Sequence, residues 1–333
     1  FSVLIACLGY LIPPDSTPYA NDQYLELGLK KPGFSVIMLP VKNGLPASKN
    51  SLIGTMVHGK KENDQHIPIR AWTIIRNHLC YVPYGAPAGD PSMVIILPLD
   101  ETGKPFEKTF LIGTDRFGRD YLSQLMIGTR VSLSVGLISV LISLVIGIFM
   151  GAVSGYYRGW IDNLIMWFIN VVWSIPTLLL VIAITFALGK GFWQVFIAVG
   201  LTMWVEVARV VRGQILGIRE KEYVEAARAL GFSDFRIIFR HILPNVMAAV
   251  IVISAANFAS AILMEAGLSF LGLGVQPPVP SWGSMIKENY GYIVLDYAYL
   301  AILPGIAIMV MVLAFMLMGN ALRDALDVRM SEV

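Results

Sequence analysis

Long stretches without a charged residue dominate this sequence and limit what it can fold into. Each is long enough for a helix that crosses a bilayer, which takes about 20 apolar residues. Charged residues make up only 14% of the 333 residues, against roughly 25% in soluble domains. The sequence therefore predicts an all-α polytopic membrane protein. The five runs, one of them (191–212) interrupted only near one end, are 131–157, 163–189, 191–212, 242–264 and 297–322.

The first residues add a sixth, shorter apolar run. "FSVLIACLGYLI" precedes Pro13 and Pro14 and supplies only about half of a span. We expect residues 1–12 to be the outer half of a first transmembrane helix that is truncated at its N-terminus. The predicted count is therefore six transmembrane helices. Pro176 and Pro304 fall inside two of them, and each predicts a helix kink.

The positions of Lys and Arg in the short loops predict the orientation. The loop after the fourth span, residues 212–240, is rich in Arg, and such loops face the cytoplasm. By parity, residues 13–111 are external. This segment contains short β-like runs such as "FSVIML" and "IPIRAWTII", so an α/β or β-containing insertion between helices 1 and 2 is expected. Residues 112–333 then form the transmembrane domain.

Residues 222–245, "EYVEAARALGFSDFRIIFRHILPN", interrupt the apolar pattern with charges and a turn signal. Gly231 stands where a left-handed residue ends a helix, and Ser233 is placed to cap a second one. Three readings compete: a lipid-binding basic helix, a DNA-reading helix-turn-helix, and a docking surface for a cytoplasmic protein. Interleaved acids disfavour the first two, so docking is preferred. One face of the first helix is predicted to carry Tyr223, Ala226, Ala227 and Leu230, and one face of the second Phe235, Ile238, Phe239 and Ile242.

"EAARALG" followed by "HILPN" resembles the EAA loop of ABC importer permeases, with His241 in a slot where that pattern has Ile. Three other stretches, "GTDRFGRD", "ARVVRGQ" and "LSFLGLGVQPPVPSWG", are similar to the C-type subunit of the dipeptide, oligopeptide and nickel branch. The resemblance reaches from Ile112 to the "LRDALD" tail at 322–327. It implies the type I importer permease fold. It does not cover residues 13–111.

The resemblance also implies a function and partners. The chain would be a multi-pass permease of the bacterial cytoplasmic (inner) membrane that moves peptides, with nickel or a nickel chelate as the alternative cargo. Its partners would be a second permease subunit in a heterodimer, two cytoplasmic ATPase subunits, an external substrate-binding protein and the lipid bilayer. ATP and Mg would belong to the ATPases, because the sequence has no Gly-x-x-x-x-Gly-Lys-Ser/Thr loop. No cofactor, catalytic role or nucleic acid is expected for this chain. A secondary transporter or channel is the competing class.

Candidate site residues follow from the same motifs. Within the coupling segment 212–245, the resemblance assigns the ATPase contact to Glu225, Ala226, Ala227, Arg228, Gly231, Leu243 and Pro244. The external motif supplies Asp115, Gly118, Arg119 and Asp120, as a collar of ion pairs or as a contact for substrate or binding protein.

Two acids close to the membrane are pathway candidates. These are Glu206, which is also spaced to pair with Arg209, and Glu265, which is also placed to lie at the outer interface. The spacing of His58, His66, His78 and Cys80 matches no compact metal motif, so no metal site is expected.

Overall fold

The computed structural model describes residues 2–43, 51–60, 64–87, 93–189 and 191–326. Lys190 and the end of the "LRDALD" stretch, Asp327, lie outside these ranges. The chain divides into two units. One comprises residues 1–131, 277–281 and 288–304, and the other residues 132–276, 282–287 and 305–333.

The first unit contains the β-structure predicted between the first two spans. Its five antiparallel strands lie in the order β4-β3-β2-β1-β5. A short helix, α1 (Ser2–Leu8), precedes the sheet and continues as a 3-10 turn to Leu11. A second, α2 (Leu52–His58), lies between the first two strands. The strands are β1 (Phe34–Lys42), β2 (Asp64–Ile75), β3 (His78–Pro83), β4 (Ile95–Pro98) and β5 (Phe106–Phe110).

Strand β1 is covered on both of its faces. Val36 and Met38 pack in one apolar cluster with Phe110, while Leu39 packs in another with Ile69. A strand buried on both faces reads as a continuous apolar run instead of an alternating one. This explains why "FSVIML" shows no polar period.

The remaining elements are helices. Four are long and apolar enough to cross a membrane: Tyr121–Tyr157, Phe192–Ile218, Asp234–Phe270 and Tyr299–Leu326. The third of these includes a π-helical segment, Ile237–Ile242. The helices are α3 (Tyr121–Tyr157), α4 (Gly159–Trp173), α5 (Thr177–Leu188), α6 (Phe192–Ile218), α7 (Glu222–Ala229), α8 (Asp234–Arg236), α9 (Leu243–Phe270), α10 (Trp282–Asn289) and α11 (Tyr299–Leu326).

The span expected at 163–189 is not one kinked helix. Helices α4 and α5 meet at a bend of 90°, so together they count as one broken span or as a re-entrant loop. Pro176 has no N–H to continue the helical ladder, and it holds the residue before it away from helical geometry. The Ser174 hydroxyl donates to the Val171 carbonyl at 2.7 Å and closes the end of α4.

The described helices therefore supply four spans, or five if the bent pair is one. The expected count of six is not confirmed. In the region expected to hold the first span, α1 has seven residues. The segment after Glu265 contains a Pro-Pro pair, and it is not one continuous helix, since α9 ends at Phe270 and α10 begins at Trp282.

Helices α3 and α6 approach closely where α3 carries glycine at every fourth position, from 147 to 155. A Cβ added at Gly147 would lie 2.5 Å from Val207, and one added at Gly151 would lie 2.6 Å from the Ala208 carbonyl oxygen. A Cβ added at Gly155 would lie 2.9 Å from Ile215. Residues four apart share one helix face, so the three glycines form a groove for α6.

Candidate coupling surface and membrane cavity

The turn after α7 has the geometry that the sequence predicts. Gly231 has φ +76°, and its N–H donates to the Arg228 carbonyl at 3.0 Å. The Phe232 N–H donates to the Ala227 carbonyl at 3.2 Å. These two bonds form a Schellman motif, in which the left-handed residue satisfies the last carbonyls of the helix. The predicted helix, turn and second helix are all present.

Helix α7 is fixed to the transmembrane core along one side. Val224 and Ala227 are buried in the same apolar cluster as Val211 and Ile215 of α6 and Ile242. Helix α7 is therefore packed directly against α6 and against Ile242, the residue before α9.

The opposite side of α7 is exposed, and most of the predicted ATPase-contact residues lie there or near it. Ala227 is the exception, because its methyl group is buried in the chain's own core. The alanines of α7 that remain exposed to another protein are Ala226 and Ala229. The exposed set in and after α7 is Glu222, Tyr223, Glu225, Ala226, Arg228, Ala229, Leu230 and Gly231.

The second helix carries the predicted apolar residues. Phe235, Ile238 and Phe239 line one cavity of about 390 Å³ together with residues of α3. Ile238 and Ile242 are buried, whereas Phe235 and Phe239 are 70% and 53% exposed, with ring centroids 4.3 Å apart. The helix is π-helical over Ile237–Ile242, with i→i+5 bonds.

Pro244 lies where the next long helix begins. It occupies the first turn of α9 and is exposed, while Leu243 is half-buried. A proline is accepted at that position because the first N–H groups of a helix have no intrahelical partner. His241 stacks on Phe232 with ring centroids 5.9 Å apart.

Basic side chains surround the base of α7. The Arg228 guanidinium lies 5.8 Å from the centre of the Tyr156 ring, and the Tyr156 hydroxyl donates to Asp234 at 2.6 Å. Burial lowers the pKa of Arg219, and the nearby Arg158 and Arg228 lower it further. The concentration of positive charge favours an acidic or mixed-charge partner surface.

The external motif forms a buried ion-pair cluster in the first unit. Asp115 accepts the backbone N–H groups of Phe117 and Arg119 at 2.9 Å, and its other oxygen accepts from Arg119 Nε at 2.6 Å. Arg119 also pairs with Glu288 at 2.8 Å. Because Asp115 and Arg119 are both buried, the arrangement favours a structural collar over direct contact with a ligand.

The other two residues of the motif shape the start of α3. Gly118 has φ +72°, and a Cβ there would lie 1.8 Å from the Tyr24 carbonyl oxygen. Asp120 accepts the Ser123 N–H at 2.8 Å, which is the bond of a helix N-cap. Both residues therefore have a local structural role.

Glu206 lines a cavity of about 110 Å³ between α4, α5, α6 and α9. The proposed pairing with Arg209 is wrong: Arg209 donates to Asn170 Oδ1 at 2.7 Å and stacks 3.6 Å above Trp173. Both partners belong to α4, which draws Arg209 away from its neighbour on α6. Within the part of the chain that the structure describes, the carboxylate of Glu206 has no ion pair.

Glu265 of α9 also belongs to the second unit, but it does not line that cavity. Its exposed fraction is 0%, so the protein encloses the carboxylate, and its placement at the outer interface stays a prediction. The Ser269 hydroxyl donates to it at 2.6 Å and the Ser132 hydroxyl at 3.4 Å. Hydrogen bonds to the charged form are what make a buried carboxylate tolerable.

Sequence reasoning missed an ion pair that joins α4 to α6. Arg212 donates to both oxygens of Asp162, at 2.6 and 2.7 Å, and the Ser154 hydroxyl of α3 donates to the same carboxylate at 2.5 Å. Opposite charges at the ends of two neighbouring spans were the available signal, since ionisable groups in spans usually pair. Among the described residues no group of three or more His, Cys, Asp or Glu is placed to hold a metal ion.

Residues 132–332 match the family described as binding-protein-dependent transport system inner membrane component. The chain belongs to this family. It is the permease subunit of an ABC importer, a transport component that is not catalytic by itself. Such a permease works with an ATPase and a substrate-binding protein.

Relatives from two bacteria support this assignment. The glutathione transport system permease protein GsiD of Pectobacterium atrosepticum is 42% identical over 216 residues, which are 65% of this chain and 71% of the relative. The dipeptide transport system permease protein DppC of Alkalihalophilus pseudofirmus is 41% identical over 218 residues, or 66% and 71%.

A solved structure of the inward-facing MetNI methionine ABC transporter shares the fold. The TM-score is 0.52 at 18% identity, over 61% of this chain and 96% of that one. The expected importer permease fold is thereby confirmed for the transmembrane part.

Proposed function

We propose that this permease moves di- and oligopeptides across the bacterial cytoplasmic membrane, and that α7 couples it to an ATPase. The observation that carries the coupling role is the division of α7 into a side buried in the transmembrane core and a side exposed around Glu225. The peptide cargo rests on relatives named for glutathione and dipeptide transport.

The complete transporter then contains a second permease subunit, two ATPase subunits that bind ATP and Mg, and an external binding protein. ATP binding supplies the free-energy difference that selects one access state of the helices. Residues 212–245 carry that change as a lever, because Val224 and Ala227 tie α7 to the helices above it. Arg228, Leu243 and Pro244 flank the proposed contact.

Charge reversal on α7 tests the coupling role. Glu225→Arg should lower the amount of ATPase that co-purifies with the solubilised permease at least tenfold. Glu107→Arg, at an exposed position of β5, makes the same charge change away from α7 and should leave co-purification intact. Equal co-purification in the two variants would remove α7 from the ATPase contact.

The cargo is tested by reconstituting the permease with its partners in proteoliposomes. Uptake of a labelled dipeptide panel is compared with uptake of Ni²⁺ alone and of a nickel chelate. Peptide uptake that requires ATP is the expected result. ATP-dependent nickel uptake without peptide uptake would replace the peptide proposal, and uptake without ATP would favour a secondary transporter.

A further inference from the structure

The second unit, residues 132–276, 282–287 and 305–333, has two kinds of exposed surface along its membrane-spanning helices. One consists of large apolar side chains, such as Val145 and Phe149 of α3, which are 72% and 64% exposed. These suit contact with lipid, as expected for most of a membrane protein's surface. The other is a groove along α6 and α9 whose lining includes small and polar residues.

The groove consists of two cavities that follow one another along the same helix faces. Glu206 lines the first, and Val210 and Gln214 line the second, at intervals of four residues on α6. On α9, Ser260 lines the first cavity and Ala256 the second, again four residues apart. Since residues four apart share a helix face, the two cavities occupy one continuous strip of the helical unit.

The strip is long enough to cross the apolar part of a bilayer. On α9 it runs from Asn245 to Met264, which is about 28 Å at 1.5 Å per residue. The hydrocarbon core of a bilayer is about 30 Å thick. The second cavity has a volume of about 520 Å³, in the range of small-molecule sites.

Glu206 stands near the middle of this strip and of its helix. It lies about 21 Å along the axis from Phe192 and about 18 Å from Ile218. A carboxylate within a membrane span is costly unless it faces water or pairs with a cation. Glu206 is exposed, and among the residues that the structure describes no Lys, Arg or His forms an ion pair with it.

We propose that the α6–α9 groove is the surface along which cargo crosses the membrane, and that Glu206 binds the amino-terminal ammonium group of a peptide there. This inference rests on the proposed peptide function. The groove offers the negative charge of Glu206 and hydroxyl groups from Thr202 and Ser260 in the same cavity. A free peptide amino group carries the complementary charge and can donate three hydrogen bonds.

A thiol in the cavity tests both parts of the inference. Ser260→Cys is prepared in the full transporter with Cys7 and Cys80 replaced by Ser, and is labelled with cationic and anionic methanethiosulfonates of similar size. The cationic reagent should react at least tenfold faster, and diglycine should slow the reaction during ATP turnover. In a Glu206→Gln background the charge preference should fall to near one. Ile251→Cys, elsewhere on α9 and outside both cavities, is the control and should show neither effect.

Uptake of labelled diglycine supplies the second measurement. Glu206→Gln should lower the uptake rate at least tenfold, and Glu206→Asp, which keeps the charge, should recover it to within about threefold. Undiminished uptake by Glu206→Gln, or Ser260→Cys labelling without charge preference, overturns the inference. Loss of the sister permease on purification of Glu206→Gln also overturns it, since the carboxylate would then pair across the subunit interface. If the unmutated transporter takes up no peptide, the proposed function fails, whereas the charge preference of Ser260→Cys is still measurable.

Discussion

Gly231 is the position at which one added methyl group best tests the structure of the coupling turn. It has φ +76°, and no atom lies within 4 Å of the place where a Cβ would stand. Gly231→Ala therefore meets no steric obstacle, and its cost is the backbone strain of an L-residue in the left-handed region, about 1–2 kcal/mol. The substitution should destabilise the Schellman motif that ends α7 by this amount.

A loss of 1–2 kcal/mol raises the local opening of the turn about 5- to 30-fold. Hydrogen exchange of the Phe232 N–H measures this opening, because that N–H donates to the Ala227 carbonyl across the turn. Gly217→Ala is the matched control: its Cβ also meets nothing within 4 Å, but Gly217 lies inside α6 without positive φ. There alanine should stabilise the helix by up to about 1 kcal/mol.

Equal exchange of the Phe232 N–H in the two variants would refute the reasoning. It would mean that the left-handed geometry of Gly231 does not hold the turn. A second substitution, Gly231→Asn, should fall between glycine and alanine, since asparagine tolerates the left-handed region better than other residues with a side chain.

Three further predictions concern stability. Arg212→Ala removes two hydrogen bonds to the carboxylate of α4 and should lower the midpoint of thermal unfolding by several degrees, equivalent to roughly 2–3 kcal/mol. Burial raises the pKa of Asp15 to about 6, so the folded state binds this proton more tightly than the unfolded one. The stabilisation that protonated Asp15 gives to the folded state is complete below pH 3.8, the usual pKa of the group. It is lost as the pH rises through about 6. Asp15→Asn should therefore be more stable than the unmutated protein at pH 8, by up to about 3 kcal/mol, with the gain disappearing near pH 4 in unfolding measurements. Gly118→Ala, whose Cβ would lie 1.8 Å from a carbonyl oxygen, should abolish folding of the first unit, whereas Gly33→Ala, with φ +80° and open space, should cost only about 1–2 kcal/mol.

The features that sequence predicted well are those set by local chemistry. The end of α7 was readable because the left-handed geometry adopted after it suits Gly231 best. The apolar strands of the first unit were readable from β-branched and aromatic runs. Both depend on a few consecutive residues and little on the rest of the fold.

Features set by packing between distant segments were not readable. Pro176 predicts an interruption, but the 90° angle between α4 and α5 depends on what each half packs against. The partner of Arg209 was sought on its own helix, whereas Asn170 and Trp173 lie 39 and 36 positions away in the chain. The π-helical segment was missed because no residue type marks i→i+5 bonding.

The glycine groove of α3 restricts how the transporter can change shape. With Gly147, Gly151 and Gly155 each fitted against a particular site on α6, sliding one helix along the other by a residue would place bulky side chains against backbone. Helices α3 and α6 must therefore move together as one rigid body. Motion during a transport cycle is then concentrated where the chain lacks such fitting, at the Ser174–Pro176 corner. This short stretch would act as a hinge of the transporter.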